Sequence, residues 1–356
     1  MASGMESGLK VIGEGSTRSV WSQEVPEHVE KASPTRVIKV ERPGPSPGKK
    51  TRHEYWTHRQ ILGTLARENA IQLHAVRRVE IPILHTMLEP GSPDWNTVLG
   101  AVSGFFGHLR NTYAILVEKV LPLPQDVRMM LTGRYGDGSH PGYEVTPGTQ
   151  HCMVRPYLGR YSPPAQPAPG QFSLQNMPLY LSQIDELRLP AFQYAEAMAD
   201  ALAFLYWSVK TDANNVEFVL APPRPLRQQP GHFPGFGAVY FTGSLGLHCM
   251  WLIDFDRCQP LDWDELGMVH AAACFYRNDP YFPRPDGRVW GHFKSRFLQT
   301  SGGILAGQSE YIRGLPELLM DHIGYIHSDG GLGLLESRRG PEDDDTGKWF
   351  GSSYLK

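Results

Sequence analysis

Cysteine is scarce in this chain of 356 residues: Cys152, Cys249, Cys258 and Cys274 are the only four, and no two form a Cys-x-x-Cys pair. That argues against a zinc scaffold and against a disulfide framework, and it suits a reducing cytosol. Long apolar runs are also missing. No stretch reaches the roughly 18 to 20 uninterrupted apolar residues that a spanning helix needs, so no membrane association is expected. The opening Met-Ala-Ser-Gly-Met-Glu-Ser-Gly lacks the basic-then-apolar order of a secretion signal, which predicts a cytoplasmic location. A strong net charge is absent too. At −3 the chain has no global attraction for nucleic acid. No internal repeat is present, and nothing in the composition points to a stable protein partner.

What the sequence does have is unevenly placed. Between Arg36 and Glu80 stand ten Lys/Arg against four Glu, a local excess of six. Such a basic segment suits a polyanion, although a solvated basic face explains the charge as well. Near the other end, Glu342-Asp343-Asp344-Asp345 reads as part of a flexible acidic tail. Strands are predicted at Leu9 to Gly13, Ser19 to Trp21, Arg36 to Val40, Tyr113 to Val120, Val216 to Leu220 and within His248 to Phe255. A helix is predicted from Thr51 to about Glu68, with Tyr55, Leu62 and Leu65 near one face. Pro190 opens a second, whose Phe192, Ala195, Ala199, Leu202 and Tyr206 form a core stripe. The Gly- and Pro-crowded stretch from Gly133 to Pro178 reads as a long irregular insertion.

Four pieces follow one another in an order with chemical meaning. Gly13-Glu14-Gly15-Ser16-Thr17-Arg18-Ser19-Val20 lies between two predicted strands, where Gly13 and Gly15 let backbone amides approach an anion. The third glycine of a kinase-type loop is replaced by Arg18 or Ser19, and a plain hairpin turn accounts for the string equally well. Val37-Ile38-Lys39-Val40 puts a lysine on an apolar strand, and Glu54 on the following helix is its natural partner. After the long helix, Asp212 is followed five residues later by Glu217, where a kinase catalytic loop carries a metal-ligating Asn. An Asx-rich turn explains Asn214 and Asn215, but not the acid entering the next strand. Last, Trp251-Leu252-Ile253-Asp254-Phe255-Asp256 is an apolar strand ending in two acids, similar to the metal-binding acid of kinases. Together these pieces predict an α+β, two-lobed, protein-kinase-like fold. The expected divisions are a flexible 1–8, a β-rich lobe over 9–120, a mainly helical lobe over 121–335 with the insertion at 133–178, and an acidic tail over 336–356.

Several strings resemble one fungal family, the arginine-containing cyclodipeptide synthases, long labelled a domain of unknown function. They are Met198-Ala199-Asp200-Ala201-Leu202-Ala203, the Asp212 to Leu220 segment, Trp251 to Asp256, and Asp279-Pro280-Tyr281-Phe282-Pro283-Arg284-Pro285. Where family members carry Asp-Asp-x-Glu, this chain has Asn214-Asn215-Val216-Glu217. The resemblance implies a transferase of secondary metabolism. Its partners would be arginyl-tRNA and a second aminoacyl-tRNA, its product a cyclic dipeptide, and it would need no cofactor and no metal. Either Asp212 or Glu217 would then be the base, with Asn214 and Asn215 beside them, and Lys39 and Glu54 would line the substrate cleft. Asp254 and Asp256 would hold the substrate guanidinium, and Lys49, Lys50, Arg52 and Arg59 would meet the tRNA backbone. The main alternative is a phosphotransferase using ATP and magnesium, with Lys39 paired to Glu54, Asp254 on the metal and Asp212 as base. A non-catalytic, kinase-like binding module is the third reading.

Overall fold

The computed structural model describes residues 9–14, 18–23, 36–42, 44–70, 79–95, 112–136, 150–163, 172–224 and 238–328. The first eight residues, Gly15, Arg77, Arg78 and the acidic 336–356 stretch lie outside the described residues. The first third supplies β1 (Leu9–Glu14), β2 (Arg18–Gln23), β3 (Arg36–Glu41), α1 (Lys49–Ala70), β4 (Val79–Glu80), β5 (Leu84–Leu88) and β6 (Ala114–Glu118). Then come α2 (Gln125–Tyr135), β7 (Val154–Tyr157), β8 (Met177–Tyr180), α3 (Leu181–Glu186) and α4 (Ala191–Ala203), which runs on into a π-helical turn over Phe204–Val209. The chain continues through β9 (Glu217–Ala221), β10 (Cys249–Ile253), α5 (Glu265–Arg277), α6 (Trp290–Ile304) and α7 (Glu310–His327).

The architecture is α+β, with two five-stranded sheets. One has the order β1-β2-β3-β6-β5 and is antiparallel throughout. The other has the order β4-β10-β9-β7-β8, in which β4 runs parallel to β10 and β8 parallel to β7. The two-residue β4 thus comes from the first third of the chain but belongs to the second sheet. A buried cluster of charges joins the sheets. Arg224 donates to both oxygens of Glu118 at 2.7 Å each and to Glu80 at 2.8 Å, and Glu118 also accepts from the Ile83 amide at 2.8 Å.

The two faces of β3 do different work. Ile38 and Val40 pack with Leu88, Trp95, Ala114 and Leu116 in a small apolar core. Lys39 and Glu41 serve the other face, toward α1, where Glu41 accepts from the Gly48 amide and the Thr51 hydroxyl and so caps the helix start. The buried residues of α1 are accordingly Thr51, Glu54, His58, Ile61, Thr64 and Leu65. The expected face of Tyr55 and Leu62 is only partly buried, because this helix docks through polar side chains as well as apolar ones.

Helix α4 follows from an Ala-rich stretch after Pro190, and nearly every residue of it is buried, Ala195, Ala199 and Leu202 completely. Phe192 departs from the expected core stripe: it is 42 % exposed and packs beside the His292 ring on α6. The helix stops where Lys210 turns left-handed at φ 64°. The stretch read as irregular contains ordered elements at both ends, α2 among them, and strand β7 in its middle. Cys152, Val154, Pro156 and Leu158 alternate as buried residues there, a short period-two signal masked by the surrounding Gly and Pro.

Candidate active site

Two charged clusters flank the loop between α4 and β9. The first is built on the two sheets. Lys39 Nζ donates to Glu54 Oε1 at 2.7 Å and lies 3.8 Å from Asp254 Oδ1. Arg18, at the start of β2, also pairs with Glu54 and donates to the Lys50 carbonyl at 3.0 Å. The residue that interrupts the glycine string is therefore a buried cation turned toward the same carboxylate as Lys39. Asp254 itself sits at φ 65°, a left-handed conformation that costs a non-glycine residue on the order of 1 kcal/mol and is characteristic of functional sites. The following residue, Phe255, packs against His58 of α1 with the rings tilted 55° and their centroids 4.9 Å apart, which ties the acid to the helix.

Antiparallel pairing sets Glu217 opposite Ile253, so the entering residue of β9 stands beside the residue that leaves β10. Arg155 of β7 donates to Glu217 Oε2 at 2.5 Å. Burial pushes the Glu217 carboxyl above its ordinary range, Arg155 opposes that shift, and Asp254 adds to it. Asp254 is raised for the same first reason, with Lys39 opposing and Asp256 adding. Two carboxylates are thereby kept from being simple, fully solvated anions, a property typical of groups that exchange protons. Tyr157 and Tyr281 stand near Glu217, with Tyr157 edge-on to Tyr281 at 5.2 Å and, on its other contact, to Tyr180 at 5.5 Å. The Tyr281 hydroxyl is buried without a hydrogen-bond partner, in the field of Glu217 and Arg155.

The second cluster surrounds Asp212, which has no solvent exposure. Its Oδ1 accepts from the amides of Asn214 at 3.0 Å and Gln259 at 2.8 Å. Its Oδ2 lies 2.9 Å from His270 Nε2 and 3.6 Å from Cys274 Sγ, both on α5. Asn214 and Asn215 make further contacts around this loop. The Asn214 carbonyl accepts from the Cys258 thiol, while Asn215 donates from its side chain to Asp256 at 3.4 Å and from its backbone to Asn278 at 2.6 Å.

Lys39, Glu54, Glu217, Asp254 and, through Asn215, Asp256 are thus brought together, whereas the Asp212 carboxylate is engaged by backbone amides and by α5. Gly13 lies on β1 beside a bulge in its pairing with β2, and a Cβ there would meet Val20 at an ordinary 3.5 Å. Lys49, Lys50, Arg52 and Arg59 are exposed along α1. Arg52 donates to the Tyr113 hydroxyl at 2.8 Å, and Arg59 lies over the ring of Trp56, itself 54 % exposed. Sequence reasoning missed Arg155, His270 and Cys274. A lone arginine in an alternating strand was the one available sign of Arg155; the other two give no sign without the fold.

A family model described as DUF3669: Zinc finger protein matches residues 250–309. The match takes in β10, Asp254, Asp256, α5 and α6. No curated protein matches the chain. The matched stretch contributes Phe275, Phe282, Phe293 and Phe297, all fully buried, to the large core it shares with α4, β9 and the rest of the chain. Its two cysteines do not act as a pair, since Cys258 bonds to the Asn214 carbonyl and Cys274 faces Asp212. Among the described residues, one group of three His, Cys, Asp or Glu side chains has donor atoms close enough to share an ion, namely Asp212, His270 and Cys274. Also among the described residues, no helix is long and apolar enough to cross a membrane.

Proposed function

We propose that this chain is an aminoacyl-tRNA-dependent cyclodipeptide synthase on a two-lobed, kinase-like framework, joining arginine from arginyl-tRNA to a second amino acid. The observation that carries the reading is Glu217. At a position where phosphotransferases need an amide metal ligand, this chain has a partly buried carboxylate with a raised pKa, oriented by Arg155. An aminoacyl ester is already activated, so no nucleotide is consumed. The α-amine of one aminoacyl group loses a proton to Glu217 and its nitrogen attacks the ester carbonyl carbon of the other. The carbon–oxygen ester bond breaks, and the tRNA hydroxyl leaves carrying a proton. Repeating the step within the dipeptidyl ester closes the ring. The unpartnered Tyr281 hydroxyl is a donor suited to the developing oxyanion. Asp254 and Asp256 offer carboxylates to a guanidinium, and the exposed basic residues of α1 suit a phosphate backbone. Asp212, whose Oδ1 accepts from two backbone amides, holds the loop that presents Glu217.

A second reading, an ATP- and magnesium-dependent phosphotransferase, draws on one specific feature: Lys39 between Glu54 and Asp254. Expression in a host with ordinary tRNA pools, followed by mass spectrometry of the medium, separates the two. An arginine-containing cyclic dipeptide is expected from the unaltered chain and not from Glu217→Gln, with both proteins folded by circular dichroism. ATP turnover by purified protein with no such product would replace the synthase with the kinase.

A further inference from the structure

We propose that Asp212, His270 and Cys274 form a binding site for a zinc-class divalent ion, with the fourth coordination position left to solvent at the His270 edge. The donors come from the loop after α4 and from two successive turns of α5, where residues four apart share one face. Their separations are 2.9 Å from Oδ2 to Nε2, 3.5 Å from Sγ to Nε2 and 3.6 Å from Sγ to Oδ2. A tetrahedral ion bonded at about 2.0 Å to nitrogen and oxygen and about 2.3 Å to sulfur needs edges of about 3.3 Å and about 3.5 Å respectively. Both sulfur edges fit. The remaining edge has to widen by about 0.4 Å, and the His270 side chain, 44 % exposed, has room to do so.

The arrangement is not a hydrolytic relay. A relay uses one imidazole nitrogen for the acid and the other for the nucleophile. Here Nε2 alone faces both Oδ2 and Sγ, so the three atoms surround a point and do not form a chain. Asp212 Oδ1, held by two amides, supplies the outer support that keeps a ligating carboxylate in place. The Arg277 guanidinium lies 3.9 Å from Sγ, but burial and Asp212 push this thiol up, so the ion itself has to displace its proton on binding. A bound ion would strap the Glu217-bearing loop to α5, and this inference stands whether or not the cleft joins amino acids.

Full-length protein produced in cobalt-supplemented medium tests it, because cobalt adopts zinc sites and reports thiolate ligation by near-ultraviolet charge transfer. One cobalt per chain and a thiolate band are expected. The band should vanish in Cys274→Ser, and His270→Gln should weaken retention of the ion against a chelator at least tenfold. Should Cys274→Ser fail to fold, His270→Gln decides, since its exposed side chain leaves the core intact. Protein without bound cobalt or zinc overturns the proposal, as does a thiolate band unchanged in His270→Gln.

Discussion

Where a proton rests on Glu217 governs the chemistry proposed for the cleft. Its ionised form accepts the proton of the attacking amine, so kcat/KM should fall as pH falls. Because burial raises this carboxyl, half-loss is expected above the ordinary glutamate value of about 4.3. Arg155 opposes the shift, so Arg155→Met should move the acid limb to still higher pH, an effect that loss of packing alone would not produce. Tyr281→Phe removes one hydrogen bond at the oxyanion and should lower kcat about tenfold with little change in KM. Both effects are read from initial rates with purified aminoacyl-tRNAs. At this scale the sequence announced Glu217 and Asp254, which enter or end an apolar run, and Lys39, which interrupts one and so asks for a partner such as Glu54 on the following helix. Arg18 looked like a gap in a glycine string. Only folding shows that a cation from β2 turns inward to Glu54.

Among the elements, α1 carries the most consequence, since its buried face joins the Lys39 pair above to the Phe255 ring below through His58. His58 donates to the Pro82 carbonyl at 2.8 Å, and burial, helped by Lys39, pushes its pKa down to about 3. The unfolded chain protonates this histidine near 6.5, so between those values it binds a proton that the folded chain refuses. Folding is therefore unaffected by His58 above pH 6.5 and loses stability as pH falls toward 3, by about 2 kcal/mol at pH 5. Urea unfolding at pH 7 and pH 5 should show this loss in the native sequence and not in His58→Gln, which keeps a donor for Pro82. Strand β3, before α1, was legible from its β-branched run between turn residues, whereas β4 and β5, after it, were not read as strands. The buried face of α1 was not legible, because the search for an apolar stripe passes over Thr51, Glu54 and His58, which are buried through paired polar groups. For a similar reason β7 was lost in a stretch rich in proline and glycine, and Arg155 with it.

For the whole molecule, the junction of the two sheets rests on Arg224 between Glu80 and Glu118, all three nearly excluded from solvent. Removing the cation leaves two carboxylates buried together, so Arg224→Met should cost about 3 to 5 kcal/mol in urea unfolding. Glu80→Gln should cost far less, because burial already moves that carboxyl toward its neutral form. Equal losses in the two variants would mean that the arginine acts by packing alone. The α+β class was readable from the order of strand and helix signals. The exchange of β4 into the second sheet was not, since two residues are too few to carry a periodicity.

That exchange limits how the protein can be divided. A fragment ending near residue 120 would keep β4 with no β10 to receive its backbone hydrogen bonds, and would hold Glu80 and Glu118 with no counter-charge. The complementary fragment would expose the bare edge of β10, an open invitation to aggregate. Seen from the sequence, position 120 divides two expected lobes; seen from the fold, a cut there would damage both halves.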